Sequence, residues 1–308
     1  MSQSRLVVSL PGETLRSAVG ELPDGVDVVT WDFDGPAPAE HLDLVVPPYM
    51  GASKKLGALE GVTTGLVQSQ SIGYDDVPDN LPPGHVFANA ATVHEASTAE
   101  LAVGLALAAQ RGIPDFVRAA AEGRWAPARH ASLADRRVLL LGYGGVGRAI
   151  EERLAGYEVE ITRVATHARD DERGHIHGIG ELPDLLPQAE IVIVGVPLTD
   201  DTTNLVDADF LAALPDGALV VNIARGKVAD RDAILAEATS GRLRFALDVT
   251  DPEPLPDSHP LFALDNVLIS PHVGGATSAM MPRMAKLVRR QVERMLEGEE
   301  PLNVVYRS

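Results

Sequence analysis

The run Arg137-Val138-Leu139-Leu140-Leu141-Gly142-Tyr143-Gly144-Gly145-Val146-Gly147-Arg148-Ala149-Ile150 constrains this chain more than any other stretch. A short apolar segment of strand character leads directly into a G-x-G-x-x-G turn, and a helical pattern follows. Gly142 permits the tight strand-to-helix turn. Gly144 has no Cβ to keep a phosphate from the backbone, and Gly147 lets the helix lie against the strand. The amides of Gly145 and Val146 then fall in the first helical turn, where the helix dipole favours an anion. This order of elements predicts a dinucleotide pyrophosphate site.

The flanking pattern agrees with such a turn. Apolar runs of strand length occur at 6–10, 26–31, 42–46, 66–68 and 86–89, then at 138–141, 159–165, 191–196, 218–223, 245–249 and 267–270. Helix-length segments separate them, which is the signature of a parallel α/β sheet. Five strands precede the glycine turn and six start from it, so two doubly wound units are expected, and 308 residues suffice for two. A buried helix is expected over 93–110 and a long one over 276–298. In the latter, Met280, Met284, Leu287, Val288, Val292 and Leu296 recur at helical spacing, the mark of a core face. The tail around Val304 and Val305 is placed to return to the first unit, making that domain discontinuous.

Composition excludes several functions. The absence of cysteine removes disulfides, thiolate metal sites and cysteine nucleophiles. A net charge of −18 argues against nucleic acid or an anionic membrane as partner. No apolar run reaches membrane-spanning length, and the N-terminus lacks the pattern of a signal peptide, so a cytoplasmic protein is expected.

Three segments beyond the turn carry chemistry. The strand ending Asn222-Ile223-Ala224-Arg225-Gly226 puts an arginine where α/β sheets bind ligands, with a planar fork suited to a carboxylate. The strand ending at Asp248 runs into an acidic loop in which Glu253 lies between Pro252 and Pro254, a restricted backbone suited to a carboxylate that orients a partner. The third strand ends in Ser270-Pro271-His272-Val273-Gly274, and imidazole is the side chain best suited to proton transfer near neutral pH. His130, His167, His175 and His177 lie in polar stretches and read as surface residues.

Together these segments resemble the D-isomer-specific 2-hydroxyacid dehydrogenase family, whose members include D-lactate, glyoxylate/hydroxypyruvate and 3-phosphoglycerate dehydrogenases. The resemblance spans residues 73–305. It rests on the glycine turn, Val196-Pro197-Leu198-Thr199 with Thr202, the segments 222–226 and 248–254, and Ser270-Pro271-His272. It implies two Rossmann-like domains with an active-site cleft between them: residues 1–98 plus 280–308 as the substrate domain, and 99–279 as the NAD(P)-binding domain. It also implies that Arg225 binds the substrate carboxylate and polarises the keto oxygen, that His272 is the general acid and base, and that Glu253 fixes the imidazole and raises its pKa. Asp248 resembles the aspartate near the nicotinamide carboxamide, and Val196, Pro197, Thr202, Ile223, Ala224 and Gly274 would line the cofactor site. Amides near Ile72 and Gly73 would complete the carboxylate cradle. A homodimer is implied, with the helix over 93–110 at its interface, and no metal.

The chain departs from the family where the adenosine ribose should be held. NAD-specific members carry a carboxylate near the end of the second cofactor-domain strand. Here that position falls at Ala165 or Thr166, followed by His167 and Arg169. NADP(H) is therefore expected over NAD(H), unless Asp170, Asp171 and Glu172 fold back toward the site. Glyoxylate or hydroxypyruvate is a plausible substrate. A dinucleotide-sensing, corepressor-like binding protein on the same fold is the alternative.

Overall fold

The apolar runs of the N-terminal third become the parallel strands β1 (Leu6–Leu10), β2 (Val26–Thr30), β3 (His41–Val45), β4 (Thr63–Gln68) and β5 (Val86–Ala88), with helix α1 (Glu13–Val19) after the first. They pair in the order β2-β1-β3-β4-β5. The computed structural model describes residues 5–49 and 51–308. It divides into two units, one formed by the chain up to His94 with Thr277–Ser308, the other by Glu95–Ala276.

In the second unit, α2 (Glu95–Arg111) and α3 (Ile113–Ala121) precede β6 (Arg137–Leu141). The chain continues through α4 (Gly145–Leu154), β7 (Glu160–Ala165), β8 (Arg169–Asp171), β9 (Gly174–Gly178), α5 (Leu182–Leu185) and β10 (Ile191–Val194). Then come α6 (Ala208–Ala213), β11 (Leu219–Asn222), α7 (Arg231–Ser240), β12 (Arg244–Leu247) and β13 (Val267–Ile269). The sheet order is β13-β12-β11-β10-β6-β7-β9-β8, with every pair parallel except β8–β9. Alternation of side chains along each strand supplies two cores. Val138, Leu140, Ile191, Ile193, Leu219 and Val221 pack with alanines of α2 and with Ile150 and Leu154 of α4. Leu139, Leu141, Val192, Val194 and Val220 pack on the other face with residues of α6 and α7.

The parallel register lines up Val164, Leu141, Val194, Asn222, Leu247 and Ile269 in one row across six strands. All six strands run out of the sheet on the same edge. The reversal of strand order on either side of β6 is the topological switch point at which α/β sheets bind ligands.

The hairpin β8–β9 was not expected from sequence. Its residues are polar, and Ile176 is the one large apolar side chain it buries, so no alternation marks it. The chain then returns to the first unit as α8 (Met280–Glu297) and β14 (Val304–Arg307), which pairs antiparallel with β5. The helix starts later than its apolar spacing suggested. Separate turns precede it, closed by Ala276 N–H to Val273 O and Met280 N–H to Thr277 O. Met280, Met284, Leu287, Val288 and Val292 pack against Val8, Leu10, Leu15 and Val19. Among the described residues, no helix is long and apolar enough to cross a membrane.

Gln291 fastens this return. It is fully buried; Nε2 donates to Gln68 Oε1 at 2.7 Å and to the Leu302 carbonyl at 2.9 Å, while Oε1 accepts from the Leu302 amide at 3.0 Å. Gln291→Leu strands these partners in an apolar core and should cost about 3 kcal/mol. The check is the urea midpoint of the first unfolding transition, which should fall; an unchanged midpoint would show that the partners are satisfied without the amide.

Candidate active site

The glycine turn lies between β6 and α4. Gly142 has φ +107°, and a Cβ there would lie 2.6 Å from the Gly195 carbonyl carbon, at the end of β10. A Cβ on Gly147 would meet the Gly142 carbonyl oxygen at 2.2 Å. The two glycines thus permit a turn that any side chain would spread apart. Gly144 is the N-cap of α4 and no side chain caps that helix, while a Cβ on Gly144 would meet nothing within 4 Å. The space in front of Gly144 is therefore open, with the Glu95 side chain beside Gly145, and the free first-turn amides of α4 are a donor set that fits a pyrophosphate.

Tyr143 anchors this turn, a role absent from the sequence reading. Its buried hydroxyl donates to Glu151, which also accepts from Arg163 Nε at 2.8 Å, and the Arg163 guanidinium stands 5.5 Å from the ring centroid. Burial would push the Glu151 carboxyl up, but the hydrogen bonds from Arg163 and Tyr143 outweigh it and hold it below its ordinary value. The visible signal is a charged Arg163 in β7 just before the buried Val164 and Ala165.

At the end of β7, Ala165 is buried and Thr166, His167 and Arg169 are exposed. Arg169 folds back on the glycine turn, its Nη2 donating to the Tyr143 carbonyl at 3.2 Å. Two of the neighbouring acids have partners of their own. Asp170 pairs with His175 at 2.9 Å, and Asp171 accepts from the Arg173 amide at 2.9 Å and lies 3.7 Å from Arg148.

Past β10, Val196 is buried and Pro197 exposed. The Thr202 hydroxyl donates to the Pro197 carbonyl at 2.7 Å and accepts from the Thr199 amide at 2.8 Å, so it closes this loop on itself.

Arg225, Glu253 and His272 follow β11, β12 and β13. The side chain of Asn222 shapes the first loop, donating to the Arg225 carbonyl at 3.2 Å and accepting from the Ala224 amide at 3.0 Å. Ile223 and Ala224 are buried; Arg225 is half-buried and its Nη1 donates to the Ala224 carbonyl at 2.8 Å. A Cβ on Gly226 would lie 1.8 Å from the Thr250 carbonyl oxygen, so only glycine lets this loop press against the one that carries Glu253.

Asp248 is 3% exposed. Its carboxylate accepts from Ser270 Oγ at 2.7 Å and from the amides of Val273 and Gly274, both at 2.9 Å. Its carbonyl accepts from the His272 amide at 2.7 Å. With most of its lone pairs committed, Asp248 acts on the histidine loop. It holds His272 at φ +53°, a conformation non-glycine residues seldom adopt.

His272 Nδ1 hydrogen-bonds Glu253 Oε1, with Nε2 on the far side of the ring. This bond raises the His272 pKa above 6.5, outweighing burial and the charge of Arg225, which both lower it. Burial alone would raise Glu253, but the hydrogen bond and charge of His272 prevail and hold it below its ordinary value. The charge of Arg225 is felt at both groups. Ile72 and Gly73 lie in the first unit, past the end of β4, where the Ile72 carbonyl accepts from Asn89 Nδ2 at 2.9 Å.

Residues 103–274 match the NAD binding domain of the D-isomer specific 2-hydroxyacid dehydrogenases. Human glyoxylate reductase/hydroxypyruvate reductase is 30% identical over 291 residues, covering 89% of each chain. A D-isomer specific 2-hydroxyacid dehydrogenase from Xanthobacter autotrophicus Py2, solved in complex with NADPH and MES, is 30% identical with a TM-score of 0.83, covering 99% of this chain and 98% of that one. The NADPH-dependent glyoxylate/hydroxypyruvate reductase of Sinorhizobium meliloti, solved with NADP and malonate, is 26% identical with a TM-score of 0.78, covering 98% and 97%. The chain belongs to the D-isomer specific 2-hydroxyacid dehydrogenase family, a family of NAD(P)-dependent oxidoreductases.

The histidine–glutamate pair predicts its own titration. Glu253→Gln removes the anion that favours the imidazolium, so the His272 pKa should fall. An NMR titration of the imidazole in both proteins measures this; a pKa unchanged or raised would refute the assigned coupling.

Proposed function

We propose that this protein interconverts a small 2-keto acid and its D-2-hydroxy acid, with glyoxylate and hydroxypyruvate as the favoured substrates and NADP(H) as the preferred cofactor. The observation that carries this reading is the Glu253–His272 pair with Arg225 beside it. The nicotinamide, when bound, supplies or accepts the hydride. The Arg225 fork holds the substrate carboxylate and draws electron density from the keto oxygen. His272 Nε2 gives its proton to that oxygen in reduction and takes it back in oxidation, while Glu253 stabilises the imidazolium and fixes the tautomer. Reduction needs the protonated imidazole, so it is favoured below the raised His272 pKa and declines as pH passes through it; oxidation has the opposite dependence.

In this reading the second unit binds the cofactor through the glycine turn, and the first is the substrate domain. The names of the human and S. meliloti relatives support the substrate class. A homodimer is part of the proposal, supported by the exposed apolar residues Ile113, Phe116 and Val117 of α3 and by Trp125.

A spectrophotometric screen of 2-keto acids with NADPH and NADH tests the activity, on protein that should sediment as a dimer. His272→Ala should lower the reduction rate by roughly 10²-fold or more, the scale of losing a general acid. Turnover untouched by that substitution would remove His272 from the mechanism.

Cofactor choice follows from the end of β7, where no carboxylate occupies 165–168 and Arg169 lies against the glycine turn. A 2′-phosphate meets Thr166, His167 and a guanidinium there, and the nearest acids are turned to other partners. The NADPH and NADP complexes of the two solved relatives are consistent with this. Arg169→Ala should lower kcat/KM for NADPH roughly tenfold, the value of a charge-assisted hydrogen bond, and leave NADH nearly unchanged. A wild type that strongly prefers NADH, with no response to the substitution, would overturn the assignment.

A further inference from the structure

The β8–β9 hairpin carries a side-chain cluster that the proposed reaction does not use. His175 and His177 alternate on β9, so both imidazoles stand on the same face of the strand, and Glu181 follows in the helical turn after it. The rings meet edge to face with centroids 4.6 Å apart. One ligand atom from each of the three residues lies within 4.8 Å of the other two.

From this geometry we propose that His175, His177 and Glu181 bind a divalent transition-metal ion of the zinc class. Two imidazoles and one carboxylate form a ligand set that zinc accepts with a fourth, open position for water. Tetrahedral coordination with bonds of about 2.0–2.1 Å separates ligand atoms by about 3.3 Å. The cluster needs an inward movement of at most about 1.5 Å to reach that spacing, within the range of rotation about side-chain bonds.

The partners of each ligand favour the site. His175 Nδ1 is held by Asp170 Oδ1 at 2.9 Å across the hairpin, where the two residues pair directly. That carboxylate orients the ring and leaves Nε2 as the ligand atom, the arrangement in which an acid behind a histidine strengthens its bond to a metal. His177 Nδ1 lies 2.8 Å from Glu181 Oε2. An ion would replace the proton between these atoms, which is released to solvent as the pair opens toward ligand spacing. The Gly178 amide donates to Glu181 Oε1 at 2.8 Å, so the carboxylate stays anchored through its second oxygen.

An ion here clasps the outer hairpin to the turn that follows β9. His177 pairs with Val164 and Gly178 with Ala165, so the clasp bears on the end of β7. The site is separate from His272 and involves no residue assigned to the reaction.

Equilibrium dialysis of the purified full chain against zinc, with the bound metal counted, tests the proposal; cobalt(II) absorption then reports the coordination geometry. One equivalent should bind, with a tetrahedral cobalt spectrum and an upward shift in Tm on adding zinc. His175→Ala/His177→Ala should lose that equivalent and the shift. Asp170→Asn should weaken binding roughly tenfold, because it removes only the orienting carboxylate. His272→Ala should bind zinc as the wild type does. Circular dichroism and the metal-free Tm show that each variant is folded, and His175→Asn is the substitute if the double variant is not. No bound zinc in the wild type, or an equivalent that survives loss of both histidines, would overturn the proposal.

Discussion

The parallel register of the larger sheet is the constraint on which this site depends. Val164, Leu141, Val194, Asn222, Leu247 and Ile269 occupy one row. Each strand leaves the sheet just past that row, and the chemistry-bearing residues follow on one edge: the glycine turn, Thr166, Val196, Arg225, Asp248 and Glu253, and His272. Parallel strands require a crossover between neighbours, and the helices on both faces that provide it also bury the sheet. The core thus fixes the edge. A one-residue slip of any strand would move its apolar side chains to the wrong face as well as displace its functional loop.

At that edge the loops are held by contacts that leave little freedom. Gly142 against Gly195, and Gly226 against Thr250, are approaches closer than any side chain allows. Asp248 is a buried carboxylate surrounded by donors, which lets it hold the histidine loop in a left-handed conformation without a positive partner. Glu253 and His272 remain partly exposed, so the pair can exchange a proton with solvent. The rigid group positions the loop, and the pair stays accessible.

The polar network behind the glycine turn extends the same order outward. Glu151 accepts from Tyr143 and Arg163, and Arg163 Nη1 donates to the Arg173 carbonyl at 2.6 Å, so α4, β7 and the outer hairpin share one set of hydrogen bonds. Arg169 adds a link from the hairpin to the Tyr143 carbonyl. The conformation of the segment after β7, where the proposed cofactor choice would be made, is thereby tied to the glycine turn.

Much of this was legible in the chain itself, because it depends on local rules. Apolar alternation and length mark the buried strands, and a glycine triplet between strand and helix marks the phosphate turn. Arg225, Glu253 and His272 stood out because each follows an apolar run. The hairpin β8–β9 did not, since a polar edge strand stabilised by backbone pairing leaves no periodic trace, whereas the apolar Val304 and Val305 of β14 did mark the returning tail. Tertiary structure alone decided that Thr202 closes its own loop, that the Asp248 carboxylate is already occupied by three donors, and that Asp170 pairs with His175 while Asp171 accepts from the Arg173 amide. It also turned His175, His177 and Glu181 into a cluster. Sequence determines what each residue can do through its chemistry and its place in a repeating pattern. Which groups meet depends on how distant loops pack, and no local periodicity records that.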